Sequence, residues 1–166
     1  MNIRTGTVAL LLLQLLALAG CTTIDMRHSL VQTGAGNYAA VYFIRPDTER
    51  YMGAADNRLA VELNKEPLLR LVKSEYTLVH LKPGEMDVTI ESETVAGPFR
   101  ELKKMKRTKR FEFEAGATYF ISIEPVDGEF RGVYFLPHMI DLASAKEMSR
   151  YMRAVGSASQ APISLL

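Results

Sequence analysis

The runs "AAVYFIRP" (39–46) and "TYFISIE" (118–124) are apolar at successive positions, so an extended strand in either place has two dry faces. In the first run Val41 and Phe43 oppose Tyr42 and Ile44. Such strands must be covered on both sides, which excludes a sheet with one face in water. The run "MDVTIES" behaves differently: Met86, Val88 and Ile90 point one way and Asp87, Thr89 and Glu91 the other, as in a half-buried strand. Strands are predicted at 38–45, 59–63, 68–72, 76–81, 86–91, 109–114, 118–124 and 130–136, with "NKE", "KPGE", "EAGA" and "VDG" as hairpin-type connections between them. The cover for the outer face is predicted in residues 141–155, where Leu142, Ala145, Met148, Met152 and Val155 recur at helical spacing. Asp141 or Ser144 can cap that helix and Gly156 can end it. The expected fold is all-β: an antiparallel β-sandwich of about seven to eight strands over 38–140, with one C-terminal α-helix packed on it. Residues 156–166, which open with "GSASQAP", are expected to form a flexible tail.

The N-terminus carries one positive charge, Arg4, and then a stretch from Val8 to Ala19 that is apolar except for Gln14. That is shorter than the roughly 20 residues a membrane span needs and has the length of a secretory signal. The stretch ends in Leu18-Ala19-Gly20-Cys21, and Cys21 is the one cysteine of the chain. This order resembles the lipobox of bacterial lipoproteins. The resemblance implies cleavage after Gly20, so that 1–20 is a signal peptide, and acylation of Cys21 on its thiol and on the new amino terminus. Two or three acyl chains hold a protein firmly on a membrane, at about 0.8 kcal/mol per buried methylene. An exported chain with a single thiol has no internal disulfide, and lipidation accounts for the cysteine left over. In such lipoproteins an aspartate after the cysteine implies retention in the inner membrane; Thr22 stands there, so the periplasmic face of the outer membrane is expected. Residues 21–37 are predicted to be the lipidated N-terminus and its tether; if flexible, the tether spans about 20 to 25 Å.

The full chain has 20 Lys plus Arg and 19 Asp plus Glu. Loss of Arg4 with the signal leaves a formally neutral mature protein, so any electrostatic partner must be met by a local patch. One exists: six of the eight residues from Lys103 to Arg110 are basic, namely Lys103, Lys104, Lys106, Arg107, Lys109 and Arg110. The segment is expected to be a charged loop entering a strand, and its functional reading is contact with an anion such as anionic lipid or an acidic envelope protein. No aromatic residue is interleaved with these cations, which argues against nucleic acid as partner.

The succession of "VYFIRP", "SEYTLVHLKPGEMDVTI" and "FEFEAGATYFISIE", followed by a further strand and a short helix, resembles bacterial lipoproteins of unknown function with a small transthyretin-like or PEGA-like β-sandwich. The resemblance covers about 38–153. It implies a tight hairpin at Tyr76 to Gly84 and carries over no catalytic residue.

Catalytic chemistry is sparse. The thiol is committed to lipidation, no G-x-S-x-G occurs, and His28, His80 and His138 are far apart without an H-x-x-x-H pair, so no metal or cofactor is expected. Glu91 with Glu93 and Glu112 with Glu114 stand at alternate strand positions about 7 Å apart, a spacing glycosidases use. Phe111 and Phe113 take the dry face of the second pair's strand, however, which leaves Glu112 and Glu114 as its ordinary wet face. The expected function is a non-enzymatic interaction module, held on the membrane through Cys21. The alternative is a carrier of a small lipid or glycan, with Phe43, Phe120, Phe135 and Met152 lining its cavity.

Overall fold

The computed structural model describes residues 23–25, 27–32, 36–47, 58–96, 99, 101–127 and 133–166. The predicted signal peptide and Cys21 lie outside the described residues, as does the expected strand start at Phe130. The strands are β1 (Thr23–Ile24), β2 (Ala39–Arg45), β3 (Leu59–Leu63), β4 (Glu66–Leu71), β5 (Glu75–Leu81), β6 (Gly84–Ala96), β7 (Glu101–Phe113), β8 (Thr118–Asp127), β9 (Val133–Ile140) and β10 (Arg153–Gly156). Among the described residues, one α-helix, α1 (Leu142–Ser149), and two 3-10 turns, Ser157–Ser159 and Ile163–Leu165, follow the strands or lie among them. The strands form two five-stranded sheets, in the orders β1-β4-β3-β6-β7 and β10-β5-β2-β8-β9. The fold is an all-β sandwich with a short C-terminal helix, as the two-faced strands require.

The first sheet is antiparallel throughout, but in the second β2 pairs parallel with β8 and β10 parallel with β5. The sandwich is therefore not purely antiparallel. Strands adjacent in a sheet but separated by a long excursion are free to run parallel, and the chain builds β3 to β7 between β2 and β8. The same excursion corrects two of the expected hairpins. Asn64-Lys65 does join β3 to β4 in a tight turn, with φ of 49° and 71°. "KPGE" and "EAGA" instead carry the chain from one sheet to the other, so Tyr76 to Gly84 is no hairpin.

Between the sheets lies the main core, including Val41, Phe43, Ile121 and Ile123 from one sheet and Val61, Val88, Ile90 and Phe113 from the other. On the outer face of the second sheet a further apolar layer gathers Tyr42, Ile44, Tyr76, Leu78 and Phe120 beneath Ala145, Ala158 and Ile163. Full burial of each large side chain there contributes roughly 1.5–3 kcal/mol. The cover predicted from the sequence is thus present, but its composition is different. Asp141 caps α1, accepting a hydrogen bond from the Ser144 amide at 2.7 Å, and the helix stops at Ser149 instead of running to 155. Residues 153–156 leave the helix because the edge of β5 offers backbone partners: the Arg153 amide donates to Ser74 at 2.9 Å, and Arg153 pairs with the buried Glu75. Gly156, at φ 58°, ends this strand rather than the helix. A Cβ there would lie 3.1 Å from Thr77 Oγ1 and 3.2 Å from Ile24 Cδ1. The expected flexible tail is the rest of the cover: Ala158 and Ile163 are wholly buried, and the Tyr42 hydroxyl donates to the Ala161 carbonyl at 2.8 Å.

The N-terminal segment also departs from expectation. Thr23 and Ile24 pair with Arg70 and Leu69 of β4, and the Asp25 amide donates to Leu68. His28 is buried; its Nδ1 accepts from the Leu30 amide, so Nε2 carries the proton and points at the Glu66 carbonyl 3.3 Å away. Val31 bridges to Leu81. Residues 23–25 and 27–32, predicted to belong to the tether, are packed along the sandwich. Their lack of strict alternation hid this, because what holds them is backbone pairing to β4 and β5, with Val31 in the core and Ile24 and Leu30 packed against it.

Candidate functional site

The basic stretch is not a loop. It forms most of β7, which pairs with β6 over thirteen consecutive positions from Gly84↔Phe113 to Ala96↔Glu101. Side chains of a strand alternate between faces, so the six cations divide by parity. Lys104, Lys106 and Arg110 share the outer face of the first sheet with Glu93, Glu91 and Asp87, their register partners. Lys103, Arg107 and Lys109 lie opposite Thr94, Ile90 and Val88, on the side that holds the core.

The outer three are engaged. Arg110 grips Asp87 through two hydrogen bonds, at 2.8 and 3.3 Å. Lys106 reaches Glu62 at 2.7 Å and Glu91 at 3.0 Å, and Lys104 meets Glu91 at 2.9 Å. Hydrogen bonds from Lys104 and Lys106 hold the Glu91 carboxyl below the usual carboxylate range, and Arg110 does the same for Asp87. Reciprocally, Lys104 and Lys106 are raised by their carboxylate partners. Between the two ion-pair groups Thr89 and Thr108 share a hydrogen bond of 2.7 Å. Pairs this exposed contribute little individually, but they leave these three cations less available to an external anion.

The inner three sit at the rim of the sandwich. Arg107 lies over the Tyr134 ring at 4.2 Å, Lys109 over Phe111 at 5.5 Å, and Lys103 is 3.6 Å from Glu101. Among the described residues, Arg107 and Lys109 have no carboxylate within ion-pair distance. The structure therefore brings the six residues onto one strand but not onto one face.

The far end of this ribbon was missed in the sequence. The last pairing of β3 with β6 is Ala60↔Glu91, so residues 93–96 and their partners 101–104 continue past the sheet as a two-stranded ribbon. Four residues at a rise of about 3.3 Å project about 13 Å. From the side, Thr94 Oγ1 accepts from the Val133 amide of β9 at 3.3 Å. Three large apolar side chains are exposed at this end: Val95 is 46% exposed, its register partner Leu102 59%, and Phe99 in the connection 85%. The Gly97-Pro98 turn signal was the available hint.

The other candidate residues are dispersed. His28 is bound into the N-terminal segment, and His80 stacks on Tyr38 at 4.1 Å with its pKa lowered by burial. His138 is half-buried on β9. No group of three or more His, Cys, Asp or Glu side chains placed to hold a metal ion occurs among the described residues. Glu112 and Glu114 are exposed. Of the four residues expected to line a ligand cavity, Phe43 and Phe135 belong to the core between the sheets, while Phe120 and Met152 belong to the outer layer. They form no common wall. A separate hollow of about 430 Å³ lies on the outer face, between Tyr38, Ala40, His80, Thr118 and Leu166.

A family model described as a protein of unknown function, DUF2846, matches residues 35–136, more than half of the chain. The match spans β2 to β8 and half of β9, and so includes the whole β6–β7 ribbon. No curated protein matches the chain.

Proposed function

The chain belongs to the DUF2846 family, whose description carries no activity, and we propose that it is a lipid-anchored envelope protein that acts as a non-enzymatic interaction module. In this reading Cys21 carries the acyl chains, residues 1–20 are removed, and the domain stands on the periplasmic face of the outer membrane. The observation that carries the reading furthest is the docking of residues 23–25 and 27–32. With β1 beginning at Thr23, a single residue, Thr22, separates it from Cys21, two steps or about 7 Å of extended chain. An anchor so placed holds the sandwich against the bilayer in a restricted set of orientations, as suits a domain that presents a surface. Arg107 and Lys109 at the rim are the cations best placed for an anionic lipid or an acidic envelope protein; Lys103, Lys104, Lys106 and Arg110 contribute only if their carboxylate partners let go. Against acid–base chemistry stands the state of Glu91: two lysines hold its carboxyl low, the wrong direction for a proton donor.

Changing Cys21 to serine tests the anchor. The variant is expected to leave the membrane fraction or to accumulate as precursor. Normal processing with unchanged membrane fractionation would refute it.

The carrier reading draws support from the hollow beside Tyr38 and His80, which is of the size of a small ligand. Native mass spectrometry of detergent-extracted protein separates the two: a retained small lipid or glycan favours the carrier, a co-extracted protein the module.

A further inference from the structure

We propose that the free end of the β6–β7 ribbon, with Val95, Phe99 and Leu102, seats in the interfacial layer of the bilayer that holds the chain. The proposal deepens the anchored-module reading and rests on it. Its first support is direction. Thr23 lies opposite Arg70, one residue from the end of β4, and that end, Leu71, is paired with Leu59 at the start of β3. The ribbon leaves the sheet past this same end of β3. The chain that leads back to Cys21 and the ribbon therefore emerge from one end of the first sheet. In strand order β1 and β7 are four steps apart, about 19 Å at a strand spacing of about 4.8 Å. An anchor at one edge and an apolar tip at the other make two points of contact on one surface.

The second support is the chemistry of the tip. Val95 and Leu102 lie side by side across the ribbon, and Phe99, in the connection between the two strands, is 85% exposed. Lys103 and Lys104 follow at once, each with a long apolar stem and a terminal charge that can reach the phosphate level while the stem lies along the acyl boundary. Their charges are already balanced, by Glu101 at 3.6 Å and Glu91 at 2.9 Å. The attraction is accordingly apolar, and the tip seats in zwitterionic as well as anionic lipid. This separates it from a purely electrostatic patch, which salt weakens.

The chain contains no tryptophan, so one introduced residue reports alone. Phe99→Trp is compared with Glu112→Trp, an exposed position on β7 toward the other end of the ribbon. Each full-length precursor is expressed, extracted, weighed by intact mass spectrometry, and reconstituted into phosphatidylcholine vesicles with and without lipid brominated high on its acyl chains. The expected result is emission at shorter wavelength for Phe99→Trp and loss of most of it with brominated lipid, while Glu112→Trp shows neither. Equal, water-like emission from both variants overturns the proposal. A shift without bromine quenching overturns it as well, since the tip is then covered by protein, such as a second copy. The mass decides the anchor separately. Quenching without acyl chains on Cys21 retires the anchor and leaves the ribbon's seating standing; acyl chains without quenching do the reverse.

Discussion

Replacing Ile163 by alanine should destabilise the domain by about 2.5–3.5 kcal/mol, although the residue sits three places from the end of the sequence. Ile163 is 0% exposed and belongs to the layer with Tyr42, Tyr76, Phe120 and Ala145. The substitution removes three carbon groups, about 2.4 kcal/mol at about 0.8 kcal/mol each. A cavity term adds to this, reduced because a segment near the chain terminus can settle into the space. The assay is urea denaturation of the mature protein, with the midpoint falling at unchanged slope; in thermal unfolding the same loss lowers Tm by roughly 5–14 °C. Tyr42→Phe, which deletes the hydroxyl's 2.8 Å bond to Ala161, should cost about 1 kcal/mol. If residues 157–166 undock as one unit, the two substitutions together cost less than their separate effects. Leu165→Ala is the control, because that side chain is 78% exposed. An Ile163→Ala protein within about 0.5 kcal/mol of the parent, indistinguishable from Leu165→Ala, would show that the segment is loose and the outer layer uncovered.

Three further outcomes follow from particular residues. Lys65 holds φ 71° in the β3–β4 turn, and Lys65→Gly should stabilise by about 0.5–1 kcal/mol in the same unfolding assay, since glycine accepts that backbone freely. Stability should fall on acidification in two stages, measurable as a midpoint series over pH. Burial lowers His80 from its ordinary 6.5, so its contribution is complete above that value and is lost as pH falls from there through the lowered folded value; His80→Phe should abolish this stage. Asp87, Glu91 and Asp141 are held below their ordinary 3.8, 4.5 and 3.8, so their contributions are complete above those values and disappear below them. Glu91→Gln should shrink that lower stage, and Lys106→Met should do so too, because each removes one side of the same ion-pair group.

The residues whose pattern is local were legible. Leu59 to Leu63 alternates strictly and forms a strand with those limits; Asp141, one of the two expected helix caps, is the cap; and the double-sided strands at 39–45 and 118–124 required a third layer that is there. The errors share one cause. β6 was expected to end at Glu91 and β7 to begin at Lys109, because past Glu91 the ribbon leaves the sheet and "ELKKMKRT" has no dry face to reveal its period. The basic stretch read as one patch because charge in sequence does not say which face each cation takes. Strand alternation divides the six, and Glu62, more than forty positions away from Lys106, becomes its partner only when β3 lies beside β6.

What the amino-acid order determined by itself is therefore what neighbours along the chain can enforce: alternation, capping, the tight turn at Asn64-Lys65, the need to cover both faces of the second sheet, and the lipobox-like order that motivates an anchor. The tertiary structure decided whatever depends on an edge or a surface supplied from elsewhere. Residues 23–25, 27–32, 153–156 and 157–166 are polar or short and would be loose alone; they are ordered because β4, β5 and the outer apolar layer present unpaired backbone groups and exposed rings to them. Burial and backbone pairing depend on partners distant in sequence, and a partner's position is a property of the folded chain.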